Sequence, residues 1–481
     1  MRDRRVLRVS FFNPPKSIID PQAKQNNTYF IYKQIHRVVM EEYKANTDAL
    51  IELNKRFSPS EGAVQQLREQ LRVNPNHSIM ELYSGRRVLV VINPHGGAIC
   101  AMRIWEEVVK PFFVLINMQF TFQSTNYAGH AEDLGINFDA KTFDSVLFIS
   151  GDGTINEFIN GVLSREDARS ILFRTTFGTI PAGSQNSFAR GMGTNSVYTA
   201  LYCLVKRKVR LYDGLCVENG NHLCRYAFAG CGWGIISDMV KDYERYRCLR
   251  RYRYWLLKGI HGFFCLRRHY CCYRYIPDEN QIRFLCSHKY PACEECMEQA
   301  QNPSTVPELP RAELMAGLQE HFTLDSSSDS SPPTDIEKGA PQPLPSGDLI
   351  QLTSPVSQPA VKMDSLLERF SKCMWMEEEG FFHTIGVINS SPDSKWCHSC
   401  NGVMDVVVAR KGGCCRDMTF ALSYVVGQEY NNDLMSYIKA KALEIHSTTD
   451  EVVMLDGEVF PGPNPFRFVS VPSLLTVFGE Y

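Results

Sequence analysis

Between Arg86 and Ser184 the chain repeats one design three times: a continuous apolar run, a glycine turn, then a stretch of helical character. The runs are RRVLVVINP (Arg86–Pro94), followed by Gly96 and Gly97, then DSVLFISGDG (Asp144–Gly153) and FRTTFGTIPAGS (Phe173–Ser184). A strand that is apolar at every position, rather than at every second one, is covered on both faces. That is the habit of a parallel sheet with helices on each side. Segments such as AMRIWEEVVKPFF supply the helices. The recurrence predicts a three-layer α/β domain over residues 85–208.

From about Val209 the pattern changes to shorter strands separated by turn signals: RLYDGLCVE, HLCRYAFAGCGWG, FFHTIGVINS, GVMDVVVAR, EVVMLDGEV and FRFVSV. These predict a C-terminal antiparallel β-sandwich domain over 209–299 and 363–481. Residues 300–362, with DSSSDSSPPT and PQPLPSGD, are rich in serine and proline and poor in large apolar groups. Such a segment cannot offset its own ordering entropy and is predicted to be a disordered insert, read as a passive linker ahead of a phosphorylation-controlled one. Residues 1–84 form an N-terminal extension. RRVLRVSFF and TYFIYKQI read as strands there, and a Ser-x-x-Glu pattern precedes a polar helix in SPSEGAVQQLREQLRV.

The net charge of −2 gives no argument for a nucleic-acid partner. The N-terminus lacks an apolar stretch of signal-peptide length, and no run approaches the ~20 apolar residues of a membrane span. The expected location is cytoplasmic, where the 17 cysteines would stay reduced. Cys286, Cys293 and Cys296, with Cys397, His398 and Cys400 of CHSC, have spacings that zinc could use. Reduced, buried thiols are the preferred reading. Nothing in the sequence bears on oligomeric state.

The stretch RYRCLRRYRYWLLKGIHGFFCLRRHYCCYR (Arg245–Arg274) is basic at its flanks and aromatic in its middle. A domain-linking helix whose apolar face joins the core accounts for it most simply. The functional alternative is a lipid-pocket or peripheral membrane contact, with Trp255, Leu256, Phe263 and Phe264 among the acyl chains and arginines at headgroup level.

The second turn carries the most chemistry. In SGDGTINEFING, Ser150, Gly151 and Gly153 permit close backbone approach to a ligand. Ile155, Phe158, Ile159 and Val162 then fall on one helical face, with Asn156, Glu157 and Asn160 off it. A helix N-terminus after a glycine turn offers unpaired N–H groups to phosphate. Asp152 at its mouth would repel phosphate, so it reads as a general base or as part of a metal-bridged arrangement, against the plain reading of a turn former. NPHGG and PAGSQN could open on the same sheet edge, where ligands of open α/β sheets gather. LDGEVF (Leu455–Phe460) adds Asp456 and Glu458. No Walker loop and no strand-following GxGxxG is present.

The ordered set NPHGG, SGDGTINEFING, IPAGSQNSFA, GWGIISDMVKDYERYR and LDGE resembles the diacylglycerol-kinase-like lipid kinases, most of all the sphingosine kinase and ceramide kinase branch. The resemblance covers about residues 85–265 and 380–475. It implies that 85–208 is the catalytic, ATP-binding domain and that the β-rich domain receives the lipid. It also implies ATP-dependent phosphorylation of the primary hydroxyl of a sphingoid lipid, a sphingosine-type base first and ceramide next. On this resemblance Asp152 takes the proton of the lipid hydroxyl. Asn93, Gly96, Gly97, Ser150, Gly151, Gly153, Glu157, Gly183 and Ser184 surround the phosphates, and Thr125 lies near the adenosine. Arg247 and Arg253 hold phosphates from the second domain; Asp456, Gly457 and Glu458 form the turn facing the nucleotide, its two carboxylates engaging magnesium. Asp238, Trp255 and Phe263 line the lipid side.

The chain departs from that pattern twice. NPHGGAICAM lacks the family's Gly-Lys, with His95 where an arginine is common. Val240 stands where sphingosine kinases carry a second carboxylate for the lipid ammonium, as in the ceramide kinase version. A soluble NAD kinase and a non-catalytic lipid-binding relative remain the alternatives.

Overall fold

The computed structural model describes residues 87–94, 101–116, 118–183, 185–243, 246, 252–264, 266–267, 269–279, 363–390, 398–425, 435–448 and 452–479. The expected N-terminal extension and the Ser/Pro-rich insert lie outside these residues. So do Gly96, Gly97, Ser184, Arg247, Cys286, Cys293, Cys296 and Cys397.

The N-terminal half alternates strand and helix. β1 (Arg87–Ile92) leads to a helical stretch, α1, wound as α over Ala101–Ile104, as π over Trp105–Val109 and again as α over Lys110–Leu115. There follow β2 (Gln119–Ser124), α2 (His130–Ile136), β3 (Ser145–Ser150), α3 (Asp152–Leu163), α4 (Ala168–Arg174), β4 (Thr176–Pro181), α5 (Ser187–Gly191) and α6 (Val197–Lys206). The four strands are parallel in the order β2-β1-β3-β4.

The continuous apolar runs have the expected cause. In β1, Val88, Val90 and Ile92 pack with Trp105 of α1 and Leu201 of α6, while Leu89 and Val91 pack with Phe158 and Ile159 of α3. In β3, Leu147 and Ile149 face the first layer, Val146 and Phe148 the second. Helices therefore cover both faces, as a three-layer α/β arrangement requires. The predicted stripe of α3 is the buried one: Ile155, Phe158, Ile159 and Val162 are all at most 2% exposed. Phe158 meets Phe138, Phe148 and Phe177 edge-on, and truncating it to alanine would cost about 3–5 kcal/mol.

The C-terminal half is mainly antiparallel. It comprises β5 (Val209–Glu218), β6 (Cys224–Ala227), β7 (Gly230–Gly234), α7 (Ile235–Tyr243), α8 (Tyr252–Gly259, continued as a π-turn over Ile260–Phe264), β8 (His269–Pro277) and α9 (Met363–Glu368). After these come β9 (Met376–Ile388), β10 (Met404–Arg410), α10 (Cys414–Val425), β11 (Ser436–Ser447), β12 (Val453–Leu455), β13 (Glu458–Phe460) and β14 (Phe466–Phe478).

Two long strands change partners midway. β9 pairs with β8 through Phe382 and with β10 from Phe382 onward, and β11 pairs with β10 up to Ala440 and with β8 beyond it. The pairing β8-β9-β10-β11 thus closes on itself around an apolar core that includes Trp233, Tyr273, Phe382, Leu443 and Phe468. The halves are not joined by a mere linker. β14 pairs with β5 and β11 and then runs parallel to β4 at Thr476↔Thr176 and Val477↔Phe177, so hydrogen bonding is continuous from one half to the other.

Candidate active site

The NP turn after β1 and the SGDG and PAGS turns lie at the carboxyl ends of neighbouring strands. Asn93, just past β1, donates from Nδ2 to Thr154 Oγ1 at 3.1 Å, tying the NP turn to the start of α3. Thr125, just past β2 and buried, donates its N–H to Ile92 O at 2.8 Å. Ser150 closes β3, is 2% exposed, and its hydroxyl donates to Gly151 O at 3.0 Å.

The glycines of SGDG and PAGS exist for close approach. Gly151 is extended (φ −93°, ψ −177°) and any residue could adopt that conformation. A Cβ on Gly183, however, would lie 2.4 Å from Gly151 Cα, so the two backbones touch. Asn186, left-handed at φ 53°, holds the second turn by accepting from Gly183 N and donating to Gly183 O, at 2.7 and 2.9 Å.

Asp152 is the first residue of α3 and reaches across to the next turn. Its Oδ2 accepts from Ser187 N and its Oδ1 from Phe188 N, both at 2.9 Å, which caps α5. Burial pushes this carboxyl above its ordinary pKa, against the pull of those two N–H groups and the charge of Arg190. Each oxygen keeps a second lone pair.

The other half arrives through the β12–β13 hairpin. Asp456, at its tip, accepts four hydrogen bonds. Phe228 N at 2.7 Å and Asn156 Nδ2 at 2.9 Å reach Oδ2; Ala229 N and Gly230 N, each at 2.9 Å, reach Oδ1. Burial raises its pKa to about 6 even so. This carboxylate is spent on holding the β6–β7 connection. Glu458 is the hairpin carboxylate that reaches α3, where a Cβ on Gly153 would lie 2.9 Å from its Oε1.

Glu458 and Glu157 line one cavity together with Asn156, Arg225 and Leu455. Glu157 is pushed up to about 7, first by burial and then by the neighbouring charges of Glu458 and Glu132, with Arg225 opposing. Arg225 Nη2 meets Glu132 Oε2 at 2.9 Å, and both side chains are 10% exposed. Asn156 and Asn160, one turn apart on α3, clamp β6. Each donates to Tyr226 O, at 2.9 and 3.0 Å, and Tyr226 N donates to Asn160 Oδ1 at 2.9 Å.

Away from the sheet edge, Asp238 of α7 is already engaged. Lys241 Nζ meets its Oδ1 at 3.2 Å and His269 Nε2 lies 3.3 Å from its Oδ2. Burial raises this carboxyl, but the neighbouring His269 and the charge of Lys241 outweigh it and hold it to about 2. Val240 packs partly buried against the apolar cluster of Ile236, Met239, Leu257 and Phe420. Phe263 is 45% exposed and Leu256 41% exposed, on the α8 side of that cluster. Arg253 and Trp255 belong to α8, with side chains outside the described set.

Most expected residues that are described converge on the sheet edge: Asn93, Thr125, Ser150, Gly151, Asp152, Gly153, Glu157, Gly183 and Glu458. Sequence reading did not single out Glu132 or Arg225, and gave Asn156 and Asn160 no partner. The asparagines had a signal, their position off the apolar stripe of α3; the ion pair had none. Among the described residues no group of three or more His, Cys, Asp or Glu side chains gathers for a metal ion. No described helix is long and apolar enough to cross a membrane.

With this geometry in hand, comparison with known proteins gives a consistent answer. Residues 87–217 match the family model of the diacylglycerol kinase catalytic domain. Among curated proteins, the chain is 28% identical to sphingosine kinase 1 of Arabidopsis thaliana over 204 residues, 41% of each chain. It is 32% identical to sphingoid long chain base kinase 4 of Schizosaccharomyces pombe over 37% of this chain and 38% of that one. To ceramide kinase of Mus musculus it is 29% identical, over 35% and 34%. The matched stretch spans about two fifths of these relatives' length.

A crystal structure of a putative diacylglycerol kinase from Bacillus anthracis str. Sterne superposes with a TM-score of 0.52 over 82% of this chain and 95% of that one, at 15% identity. That likeness concerns the fold. The resemblance to the sphingosine and ceramide kinase branch of the diacylglycerol-kinase-like proteins holds, and it is carried by residues 87–217, which match a diacylglycerol kinase catalytic domain.

Proposed function

We propose that the protein is an ATP-dependent lipid kinase that phosphorylates the primary hydroxyl of a sphingoid lipid. The observation that carries the reading is the meeting of the SGDG and PAGS turns, with Asp152 between them, under a carboxylate from the other half of the chain.

The hydroxyl donates its hydrogen bond to a remaining lone pair of Asp152, whose orientation the Ser187 and Phe188 N–H groups fix. As the hydroxyl oxygen attacks the γ-phosphorus, the new O–P bond forms and the bond to the β,γ-bridging oxygen breaks. ADP leaves, and the proton passes to Asp152. A carboxyl raised by burial is a better base than an ordinary aspartate. The turns offer backbone N–H groups to the phosphates without side chains in the way.

The donor set fits magnesium, which commonly takes one or two carboxylates plus substrate phosphates. Glu157 and Glu458 crowd each other in one cavity, and a divalent cation would relieve that repulsion. Those two residues would hold the ion, with Asp456 behind them setting the hairpin. When bound, magnesium neutralises charge developing on the phosphates.

A sphingosine-type base is the first substrate reading. Ceramide is the second, and one observation favours it: Asp238 is already paired with Lys241 and lies beside His269, and Val240 lies in an apolar cluster, an environment suited to a neutral amide rather than an ammonium. Peripheral membrane contact through the exposed Leu256 and Phe263 belongs to the same proposal. Transfer of labelled phosphate from ATP to sphingosine, ceramide, diacylglycerol and NAD tests it. A labelled sphingoid product is expected; label on NAD alone, or on none of the four, would overturn the reading. Val240→Asp should raise sphingosine use relative to ceramide.

A further inference from the structure

Glu132 reaches the site because α2 and α3 pack backbone on backbone. A Cβ on Gly135 would lie 2.1 Å from Phe158 O, and one on Gly161 would lie 2.1 Å from Glu132 O. The glycine of NEFING is thus a helix-contact glycine. It lets α2 settle low enough for Glu132 to meet Arg225 of β6, across the seam between the two halves. Arg225 in turn lines the cavity that Glu157 and Glu458 share. Glu157 feels the charges of both Glu458 and Glu132, and like charges drive one another apart. Arg225, held at Nη2 by a buried 2.9 Å contact with Glu132, is the cation that lines the cavity beside Glu157 and Glu458.

We propose that Arg225, anchored by Glu132, is a positioning residue that holds Glu157 and Glu458 together for the magnesium–nucleotide. This rests on the proposed reading of the cavity as the nucleotide side of a kinase site. It goes beyond that reading by assigning a function to a pair that lies outside the glycine-turn motifs. The pair has two separable effects. Its contact supports the junction of α2 and β6, and the sign of the charge at position 225 arranges the carboxylates.

Exchange of the two residues separates these effects, because Glu132→Arg with Arg225→Glu keeps the contact but presents a negative charge to Glu157 and Glu458. The experiment measures Mg-ATP binding by calorimetry and thermal melting on the full chain, with binding as the readout in place of turnover. Arg225→Ala should weaken Mg-ATP binding by about 10–100-fold, as loss of an outer partner of metal-holding groups does. Arg225→Lys should retain more of the binding. The exchanged variant should melt close to wild type yet bind Mg-ATP as poorly as Arg225→Ala.

Wild-type affinity in Arg225→Ala would overturn the proposal. Recovery of both melting and binding in the exchanged variant would reduce the pair to a structural contact. If Arg225→Ala does not fold, Arg225→Lys and the exchanged variant still decide. A wild-type chain that binds Mg-ATP and transfers no phosphate contradicts the kinase reading and leaves the positioning role standing.

Discussion

Two Asp-Gly steps in this chain look alike and are used differently. In SGDG, Asp152 takes one N–H on each oxygen, both from the start of α5. In LDGE, Asp456 takes two donors on each oxygen, from β6–β7 and from Asn156 of α3. The first carboxylate is oriented and still able to accept; the second is saturated. On the proposed reading the chemistry therefore falls to Asp152, and the hairpin's contribution to the site passes to Glu458. A residue type in a turn does not reveal which of these it is, because the donors that decide lie 35–36 and 226–300 residues away.

The largest break in that comparison should come at Asp456. Replacing it with alanine strands four donors and should destabilise the fold by about 3–5 kcal/mol in denaturant melts. Gly183→Ala comes next: the Gly151 backbone stands in its way, and about 2 kcal/mol should be lost along with nucleotide binding. Gly457→Ala meets open space, but its φ of +95° disfavours a side chain, so about 1 kcal/mol is expected with binding nearly intact.

The last effect concerns pH. Asp213, fully buried in β5, accepts from Gly402 N and Ser473 N, both at 2.7 Å, and burial raises it to about 7 from its ordinary 3.8. The folded chain thus keeps a proton that the unfolded chain releases. This group's share of stability is present below about pH 4 and lost as pH rises through about 7. Asp213→Asn should flatten that slope in melts taken across the range; an unchanged slope would remove the assignment.

Much of the α/β half was legible because its signals are local. Val88 to Ile92 and Val146 to Ile149 are apolar on both faces, and Gly151 and Gly183 punctuate the strand ends. The stripe of α3 could be read from spacing alone. What escaped was long-range. HLCRYAFAGCGWG reads as one strand but divides into β6 and β7, with Asp456 seated on the N–H groups between them. FRFVSV reads as a strand but continues through Phe478 to reach β4. The Glu132–Arg225 pair joins residues 93 positions apart, with no pattern on either side to announce it.

The central claim is that Asp152 is an acceptor for the substrate proton rather than only a cap for α5. Asp152→Asn keeps a carbonyl oxygen for one of the two N–H groups, so the fold should survive. Measured together on this variant, Mg-ATP affinity should stay near wild type while phosphate transfer to the sphingoid lipid falls at least about a hundredfold. Transfer at the wild-type rate would contradict the account and leave Asp152 as a helix cap.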